Sequence, residues 1–575
     1  MSKNVLGVQA NFLEPDGITN ETSASLIVDG KLVSCVAQER ISRVKVDGKF
    51  PHDAIQDVLN QAGITGKDID VLAVPFLHPK KGNYKYFQAG AKTFMDTGVF
   101  LGKLMRKSLW FSIYNAIKGE KQHYFELDGK KLALDYCDHH KAHAASAYYP
   151  SPFKKALVIT LDGGGDGLDG SAYVGDGNKL IQLFEVPHFQ SPGTMYSTIT
   201  LDLGFKRHRH EGKITGLAAY GDPDLKEMGL DDLILYNEKK HRFVSKRVAK
   251  HHRNLYEKSK YFYPLLEKYG KEKLAAVAQI LLEREVLKFV KDAFNVAKSK
   301  GYDVNEVCLA GGCFANVKLN QRILELDECE NIFVYPAMGD DGLSSGAAFV
   351  SYFKNNPDAS KEDCEIADTY KGAAFGDSEI EEALKANNLE FERFDDVETV
   401  IAKHMADSKV VARYNGRMEY GPRALGNRSI IASPFDQTIN DWLNKKLNRT
   451  EFMPFAPSMI VDHAKEYFPK YDPKHIAAEF MTVTYDVNPE YADKIPAVVH
   501  IDGTARPQVV KQEVNESYYK IIKEFYNLTG VPVVLNTSFN IHEQPIVYSP
   551  QDAINGYLDG DLDVLAIGNY IVKKA

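Results

Sequence analysis

Residues 156–186, ALVITLDGGGDGLDGSAYVGDGNKLIQLFEV, decide the fold. The apolar run Ala156–Leu161 predicts a buried strand, and a loop of Gly and Asp follows it. Two further strands flank Asp176-Gly177, and an Asp-Gly pair between alternating apolar runs is a strong hairpin signal. This stretch therefore predicts a strand, a polar loop and a hairpin, in that order.

The same order occurs a second time, in residues 4–40, where Asp29-Gly30 forms the tight turn. In both copies the loop lies where a phosphate can approach backbone N–H groups. The duplication predicts an α/β protein with a two-lobed, actin-like (ASKHA) domain that holds a nucleotide between its lobes. An ordinary α/β protein that happens to contain two hairpins is the alternative.

Composition indicates a soluble, multidomain enzyme. The chain has 575 residues, 44% hydrophobic and 26% charged, without a membrane-length apolar run. Its net charge of −8 argues against broad nucleic-acid binding. The N-terminus lacks the apolar core of a signal peptide, so we expect a cytoplasmic protein. The six cysteines form no CxxC pair, which predicts reduced and mostly buried thiols.

The rest of the chain predicts an insertion, a linker and a second α/β domain. Residues 79–123 are rich in aromatic residues and lysine, as a membrane-surface helix can be, but their charges are scattered, which favours an inserted helical lid. The polar stretch 355–367 predicts a linker, with a domain boundary near residue 365. Helices are predicted at 52–68, 139–146, 273–299, 377–387 and 396–407, and strands at 71–75, 306–310, 410–414, 531–535 and 563–567.

A metal site is the first chemical prediction. If residues 139–146 are helical, His139 and His143 lie at i and i+4 on one face. The strand before Asp162 delivers a carboxylate to the same region, and Asp340 precedes a helix of small residues. The alternative is that one histidine lies on a helix surface and the other packs in a core.

Anion recognition is the second chemical prediction. Residues 416–429, GRMEYGPRALGNRS, place three arginines among glycines and a proline after a buried strand. Guanidinium groups bind phosphate or carboxylate in a bidentate manner, so this segment predicts an anion receptor. The Gly311-Gly312 turn after a strand is consistent with either a bound nucleotide or a helix packed tightly on a sheet. Without a nucleophile elbow, Walker or Rossmann motif, the residues predict a metal-assisted, two-site enzyme for phosphate-bearing substrates.

Together the motifs resemble the O-carbamoyltransferases of the nodulation protein U and cephalosporin carbamoyltransferase family. The resemblance covers nearly the whole chain. It implies a Kae-like, actin-like transfer domain in residues 1–365 and a YrdC-like domain in residues 366–575. The motifs are HHKAHAASAYYPS, LDGGGDG, EGKITGLAAYG, AGGCFANVKLN, GDDGLSSGAA, GRMEYGPRALGNRS, PFAPS, NTSFN and the N-terminal Glu39-Arg40 and Arg43-Val44-Lys45.

The resemblance also implies a reaction. The YrdC-like domain would form carbamoyl-adenylate from ATP, with Mg²⁺, and carbamoyl phosphate. The Kae-like domain would then transfer the carbamoyl group to a hydroxyl of a sugar or another small natural product, releasing AMP. Catalytic roles would fall on His139, His143, Arg423 and Arg449.

The resemblance further assigns ligand-binding residues. Iron (Fe²⁺) or another divalent metal would be held by His139, His143, Asp162 and Asp340. The adenylate would be lined by Lys213, Gly311, Gly312 and Asn316. The YrdC-like site would use Arg423, Arg428, Arg449, Arg506, Ser538 and Asn540.

Two positions depart from the family pattern. Asn20 stands where the family commonly has a histidine, which puts acceptor contacts there in doubt. Leu447-Asn448-Arg449-Thr450 stands where the family usually has Lys-x-Arg-Glu, which leaves open whether Lys446 replaces the displaced lysine. Two other functions remain open: an actin-like sugar or small-molecule kinase that releases ADP, and an ATP-gated interaction protein without enzymatic activity.

Overall fold

The computed structural model describes residues 3–12, 21–77, 79–99, 124–251, 259–448 and 452–574. The chain forms two compact units. Unit 1 comprises residues 1–15, 23–33 and 62–366, and unit 2 comprises residues 16–22, 34–61 and 367–575. Unit 2 thus takes residues from both sides of the predicted boundary near 365. Both units are mixed α/β, as the sequence predicts.

The strands are numbered along the chain. They are β1 Asn4–Gln9, β2 Ser23–Val28, β3 Lys31–Ala37, β4 Val71–Val74, β5 Tyr124–Leu127, β6 Lys130–Tyr136, β7 Lys155–Gly165, β8 Leu168–Asp176, β9 Lys179–Pro187, β10 Leu235–Asn237, β11 Arg242–Val244, β12 Glu306–Ala310, β13 Asn331–Val334, β14 Glu392–Arg393, β15 Val411–Tyr414, β16 Arg428–Ala432, β17 Ala456–Ile460, β18 Tyr485–Asp486, β19 Thr504–Ala505, β20 Gln508–Val510, β21 Val533–Ser538, β22 Val564–Ile567 and β23 Tyr570–Lys573.

The α-helices are numbered in the same way. They are α1 Gln38–Ser42, α2 His52–Ala62, α3 Pro79–Thr97, α4 His139–Tyr148, α5 Pro192–Asp202, α6 Glu211–Ala218, α7 Lys246–His251, α8 Tyr263–Tyr269, α9 Lys271–Ser299, α10 Val317–Leu324, α11 Leu343–Asn355, α12 Asp377–Ala386, α13 Val397–Ala406, α14 Ile439–Lys446, α15 Ala464–Tyr467, α16 Pro489–Ala492, α17 Glu516–Thr529 and α18 Pro550–Asp559.

Both predicted hairpins are confirmed. β1, β2 and β3 belong to a sheet of order β3-β2-β1-β4-β6-β5, and β7, β8 and β9 belong to a sheet of order β13-β12-β7-β8-β9. One detail differs, because the glycine-rich stretch predicted as a loop belongs mostly to β7, which continues to Gly165. Leu161 pairs with Gly170 and Gly165 with Leu168, so Asp162 lies in a bulge between them. A bulge redirects side chains, and here it redirects a carboxylate.

The other predicted helices and strands are present, most with ends shifted by one or two residues. Two of the shifts have a clear local cause. The helix predicted for 52–68 ends at Ala62, because Gly63 adopts φ +67°, which a right-handed helix does not accommodate. The strand predicted at 531–535 begins two residues later, after Pro532, which has no backbone N–H to donate. All six cysteines are buried, as predicted.

Helix α11 packs so closely on α4 and on β1 that no side chain fits between the backbones at the points of contact. A Cβ added to Gly346 would lie 1.9 Å from the carbonyl oxygen of Ala142 in α4. A Cβ added to Gly7 of β1 would lie 1.9 Å from the carbonyl oxygen of Ser344. Ser23 Oγ donates to the carbonyl of Asp341 (2.6 Å), beside the start of this helix. The small residues of α11 therefore fix α4 and β1 on either side of it.

Unit 2 is built on a mixed sheet of order β14-β23-β22-β15-β16-β21-β17-β20. β15 runs parallel to β22 and antiparallel to β16. Helices α13 and α17 cover one face through a buried cluster that includes Ile401, Met405, Ile521, Ile522 and Phe525. The segment 416–429 leads from β15 into β16.

The two glycines of the Gly311-Gly312 turn differ in their surroundings. Gly311 has φ +103°, and a Cβ there would lie 2.3 Å from the carbonyl oxygen of Leu161 in β7. A Cβ at Gly312 would meet no atom within 4 Å. Gly311 is thus required by close packing on the sheet, and only Gly312 has room beside it.

We predict that Gly311→Ala destabilises the protein by roughly 2–4 kcal/mol, because the added methyl group overlaps a strand carbonyl and the backbone is left-handed. Gly312→Ala is the matched control and should change stability by no more than about 0.5 kcal/mol. Thermal melting of the two variants measures the difference, and equal melting temperatures would contradict the packing role of Gly311.

Candidate functional site

Four side chains of unit 1 converge as the sequence predicts. His139 Nε2 lies 2.8 Å from Asp162 Oδ2 and 4.0 Å from Asp340 Oδ1. His143 Nε2 lies 3.4 Å from Asp162 Oδ2 and 3.6 Å from Asp340 Oδ1. One ligand atom from each of the four residues lies within 4.8 Å of the others. The arrangement is a compact set of two imidazoles and two carboxylates.

The chemistry of this set fits a divalent metal ion. His143 is fully buried, and neither of its ring nitrogens makes a hydrogen bond of adequate geometry with a described residue. Leaving a buried polar atom without a hydrogen-bond partner costs about 1–3 kcal/mol. A buried nitrogen without such a partner therefore indicates a functional role, such as binding an ion. Two histidines with carboxylates are a donor set that suits Fe²⁺ and related transition metals. A bound ion would satisfy Nε2 of His143.

Asp162 is held at the centre of the set by its own backbone contacts. Its Oδ1 accepts from the N–H of Gly164 (2.6 Å), and its backbone carbonyl accepts from Ser191 Oγ. A Cβ on Gly193 would lie 3.0 Å from the same carbonyl oxygen. The bulge and the segment after β9 together fix the direction of the Asp162 carboxylate.

Two residues that sequence reasoning missed orient the histidine helix. Asp166 Oδ2 accepts from the N–H groups of Leu77 (2.8 Å) and His139 (3.0 Å). Asp138 caps α4 by accepting from the N–H of Lys141, and Lys85 Nζ donates to Asp138 Oδ2 (3.0 Å). Asp138 had a local signal, since an Asp directly before a helix is a common N-cap, whereas the bonds of Asp166 and Lys85 join distant segments of the chain.

Electrostatics distinguish the histidines of α4. Burial lowers the pKa of His140 to about 4, so the ring is neutral at pH 7. It is held between Thr160 Oγ1 (3.0 Å) and the carbonyl of Leu168 (3.2 Å). Burial also opposes protonation of His139, but the carboxylates of Asp162 and Asp340 outweigh it and raise the pKa of His139 to about 10. A cation is therefore favoured at His139, where the carboxylates converge.

The residues predicted to line an adenylate are spread over two helix starts in unit 1. Lys213 is buried in α6, and Asn316 caps α10 by accepting from the N–H of Leu319. Asn316 also exchanges two amide hydrogen bonds with Gln279 (2.8 and 3.1 Å). Asn316 is thereby fixed by a neighbouring helix, which limits the ways in which it can meet a ligand.

The three arginines of the 416–429 segment have different surroundings in unit 2. Arg423 is half-buried at the turn of the segment. Arg428 is fully buried, donates to the carbonyls of Asn415 (2.7 Å) and Gly416 (3.1 Å), and lies 3.7 Å from the ring centroid of Tyr414. Arg417 donates to the carbonyls of residues 371 and 372. Arg428 thus holds its own segment together, which differs from the direct phosphate contact that the resemblance implies.

Three of the remaining predicted residues of unit 2, Arg506, Ser538 and Asn540, are described by the structure. Arg506 lines a small cavity together with Phe455, Thr484 and His500. Ser538 Oγ donates to Asn540 Oδ1 (2.6 Å), so the NTSFN turn is internally ordered. Arg449 and Asn20 lie outside the described residues, as does most of the predicted lid after α3. Lys446 forms an ion pair with Asp561.

Two family models match this chain. Carbamoyltransferase N-terminus matches residues 6–349, and Carbamoyltransferase C-terminus matches residues 402–574. The chain belongs to the carbamoyltransferase family. The resemblance drawn from the motifs is confirmed, and the protein is an enzyme, a carbamoyltransferase.

The relatives compared with this carbamoyltransferase cover between 76% and 100% of it. Nodulation protein NolNO of Sinorhizobium fredii is 32% identical, over 100% of this chain and 82% of the relative. Uncharacterized protein MJ1051 of Methanocaldococcus jannaschii is 34% identical, over 96% of this chain and 98% of the relative. Nodulation protein NolO of Bradyrhizobium diazoefficiens is 35% identical, over 76% of this chain and 79% of the relative.

Similar solved structures include HypF from T. kodakarensis, with a TM-score of 0.34 and 15% identity over 64% of the carbamoyltransferase and 49% of HypF. A second match is full-length HypF in the phosphate- and nucleotide-bound form, with a TM-score of 0.28 and 15% identity over 61% and 56% of the two chains. These scores are too low to carry an argument.

Among the described helices, none has the length and apolar character needed to cross a bilayer.

We predict that Asp340→Asn weakens binding of Fe²⁺ to the purified carbamoyltransferase by at least about 100-fold, because it removes one charged ligand from the set. Asp341→Asn is the matched control, since Asp341 uses its Oδ1 to accept from the N–H of Gly342 and an amide oxygen can do the same. Metal content after dialysis measures both variants. Equal metal content in the two would contradict the assignment of Asp340.

Proposed function

We propose that this carbamoyltransferase is an ATP-dependent O-carbamoyltransferase that works through carbamoyl-adenylate. In this proposal the N-terminal part has an actin-like, Kae-like architecture and the C-terminal part has a YrdC-like architecture. The single observation that carries it is the convergence of His139, His143, Asp162 and Asp340 in the part that matches the N-terminal carbamoyltransferase model. The arginine-rich segment of unit 2 supplies a second and chemically different site.

The first step takes place in unit 2. Carbamoyl phosphate and water give carbamate and phosphate. A carbamate oxygen then attacks the α-phosphorus of ATP, and pyrophosphate leaves, which yields carbamoyl-adenylate. Negative charge accumulates on the phosphate oxygens, and Arg423 and Arg506, with Arg449, offset it by electrostatic stabilisation. Ser538 and Asn540 supply neutral hydrogen-bonding groups beside them.

The second step takes place in unit 1. An acceptor hydroxyl attacks the carbamoyl carbon, the bond from that carbon to the adenylate oxygen breaks, AMP leaves, and the hydroxyl proton passes to solvent. His139, His143, Asp162 and Asp340 would hold a divalent metal, which when bound acts as a Lewis acid on an oxygen of the reacting group. Lys213 provides positive charge near the leaving AMP, and Gly312 leaves room for the nucleotide.

The acceptor belongs, in this proposal, to the hydroxyl-bearing small molecules, such as sugars or other natural products. A hydroxyl is required because the product is a carbamate ester. ATP is used with Mg²⁺, and carbamoyl phosphate is the carbamoyl donor. The negative net charge of −8 is consistent with a small-molecule substrate rather than a nucleic acid.

The product nucleotide tests the proposed function. Purified protein with ATP, Mg²⁺ and carbamoyl phosphate is expected to release pyrophosphate and, with an acceptor, AMP. Omitting carbamoyl phosphate should stop the release, because no carbamate is then available to attack ATP. Ion-pair chromatography of the nucleotides measures the outcome. Release of ADP in its place would indicate a kinase and contradict the proposal.

Two substitutions are expected to separate the steps. Arg423→Ala should reduce carbamoyl-adenylate formation by about 100-fold or more, because it removes a cation from the phosphate site. His143→Ala should leave adenylate formation intact and stop transfer. Arg393→Ala is the control, since Arg393 is an exposed residue paired with Asp395. Intact transfer by His143→Ala would contradict the role of the metal ligands.

A further inference from the structure

Glu419 is a buried carboxylate at the centre of the arginine-rich segment. Its Oε1 accepts from the backbone N–H groups of Leu425 (2.8 Å), Asn427 (2.8 Å) and Arg428 (3.2 Å). Its side chain is almost fully buried in unit 2. One carboxylate oxygen therefore accepts hydrogen bonds from three backbone amides in residues 425–428. This segment follows Arg423 and Ala424.

The carbonyl groups of the same turn are held from the other side. Asn536 Nδ2 donates to the carbonyl of Ala424 (3.2 Å), and Gln508 Nε2 donates to that of Leu425 (2.8 Å). Arg413 Nε donates to the carbonyl of Gly426 (2.9 Å). Each of these donors lies on a strand of the sheet in unit 2, namely β21, β20 and β15. Both the amides and the carbonyls of the turn are thus fixed by side chains.

Two glycines with positive φ lie on either side of Arg423 in the turn. Gly421 and Gly426 have φ +117° and φ +110°. A Cβ on Gly426 would lie 2.4 Å from the ring of Tyr518. Glycine adopts positive φ without strain and leaves the chain free to take other conformations. Gly421 and Gly426 lie on either side of Arg423 in the chain. The backbone conformation that determines where the Arg423 side chain lies therefore depends on the contacts made by the turn.

We infer that Glu419 is a positioning residue for adenylate formation: by binding three amides of the turn, it sets the place of the Arg423 guanidinium. This inference rests on the proposed function, because it assigns Glu419 an effect only through Arg423. The hydrogen bonds of Glu419 to described residues are with backbone amides, which is the arrangement of a positioning residue. Electrostatic stabilisation requires a charge fixed before the reaction begins, and Glu419 supplies that fixation.

Single substitutions of Glu419 are expected to change the rate of adenylate formation by different amounts. Glu419→Ala removes the acceptor of three amides, and misplacement of a catalytic group by about 1 Å can cost about 100-fold in rate. We expect a loss of that size in kcat for adenylate formation, with a much smaller change in the KM for ATP. Glu419→Gln retains an oxygen that can accept the same bonds and should recover most of the rate.

A double-mutant cycle separates positioning from a general structural role. If Glu419 acts through Arg423, the variant that combines Glu419→Ala with Arg423→Ala should be no slower than Arg423→Ala alone, within about twofold. If Glu419 only stabilises unit 2, the two losses should multiply. Pyrophosphate release with ATP and carbamoyl phosphate measures all four proteins, and thermal melting monitors their folding.

A second variant guards against failure to fold. Asn536→Ala removes the donor to Ala424 on the opposite side of the turn and should show the same lack of additivity with Arg423→Ala. Multiplicative losses in both cycles would overturn the inference and leave the proposed function standing. Undiminished pyrophosphate release by Arg423→Ala alone would instead overturn the role of Arg423 in the proposed function, and the inference with it.

Discussion

The backbone contact between helices α4 and α11 is the constraint on which the metal-ligand set depends. Gly346 lets α11 approach the carbonyl of Ala142, which lies between His139 and His143 on α4. Asp340 stands just before α11, so this approach brings its carboxylate to the two imidazoles. The bulge in β7 delivers Asp162 from the adjacent sheet. A larger residue at position 346 would separate the helices and, with them, the ligands.

A carboxylate that binds backbone amides, partly buried in unit 1 and buried in unit 2, stabilises each of the two candidate sites. Asp166 accepts from the amide of His139 in unit 1, and Glu419 accepts from three amides of the arginine-rich turn in unit 2. Both residues fix a neighbouring functional side chain without occupying its place. In both units, charge is positioned before any substrate arrives, which is the condition for effective electrostatic stabilisation.

The sequence predicted what local patterns and short spacings determine. The Asp-Gly hairpins, the i and i+4 spacing of His139 and His143 and the strand before Asp162 are of this kind, and the structure brings those ligands together with Asp340. The roles of Asp166 and Glu419 were not predictable, because their partners are set by tertiary folding. The same is true of the assignment of residues 34–61 to unit 2. Arg428 was indistinguishable from Arg423 by motif, and its burial against Tyr414 and its hydrogen bonds to backbone carbonyls separate the two.

Belonging to the carbamoyltransferase family establishes the transferred group, whereas the two chemically different sites suggest how the work is divided. The central claim is that the carbamoyl group is activated in unit 2 and transferred in unit 1, where the metal ligands lie. Mass spectrometry of metal-depleted protein incubated with ATP, Mg²⁺ and carbamoyl phosphate tests this division most directly. The account predicts that carbamoyl-adenylate forms and persists without Fe²⁺ and that adding Fe²⁺ with an acceptor converts it to AMP and a carbamate ester. Absence of carbamoyl-adenylate until Fe²⁺ is restored would contradict it.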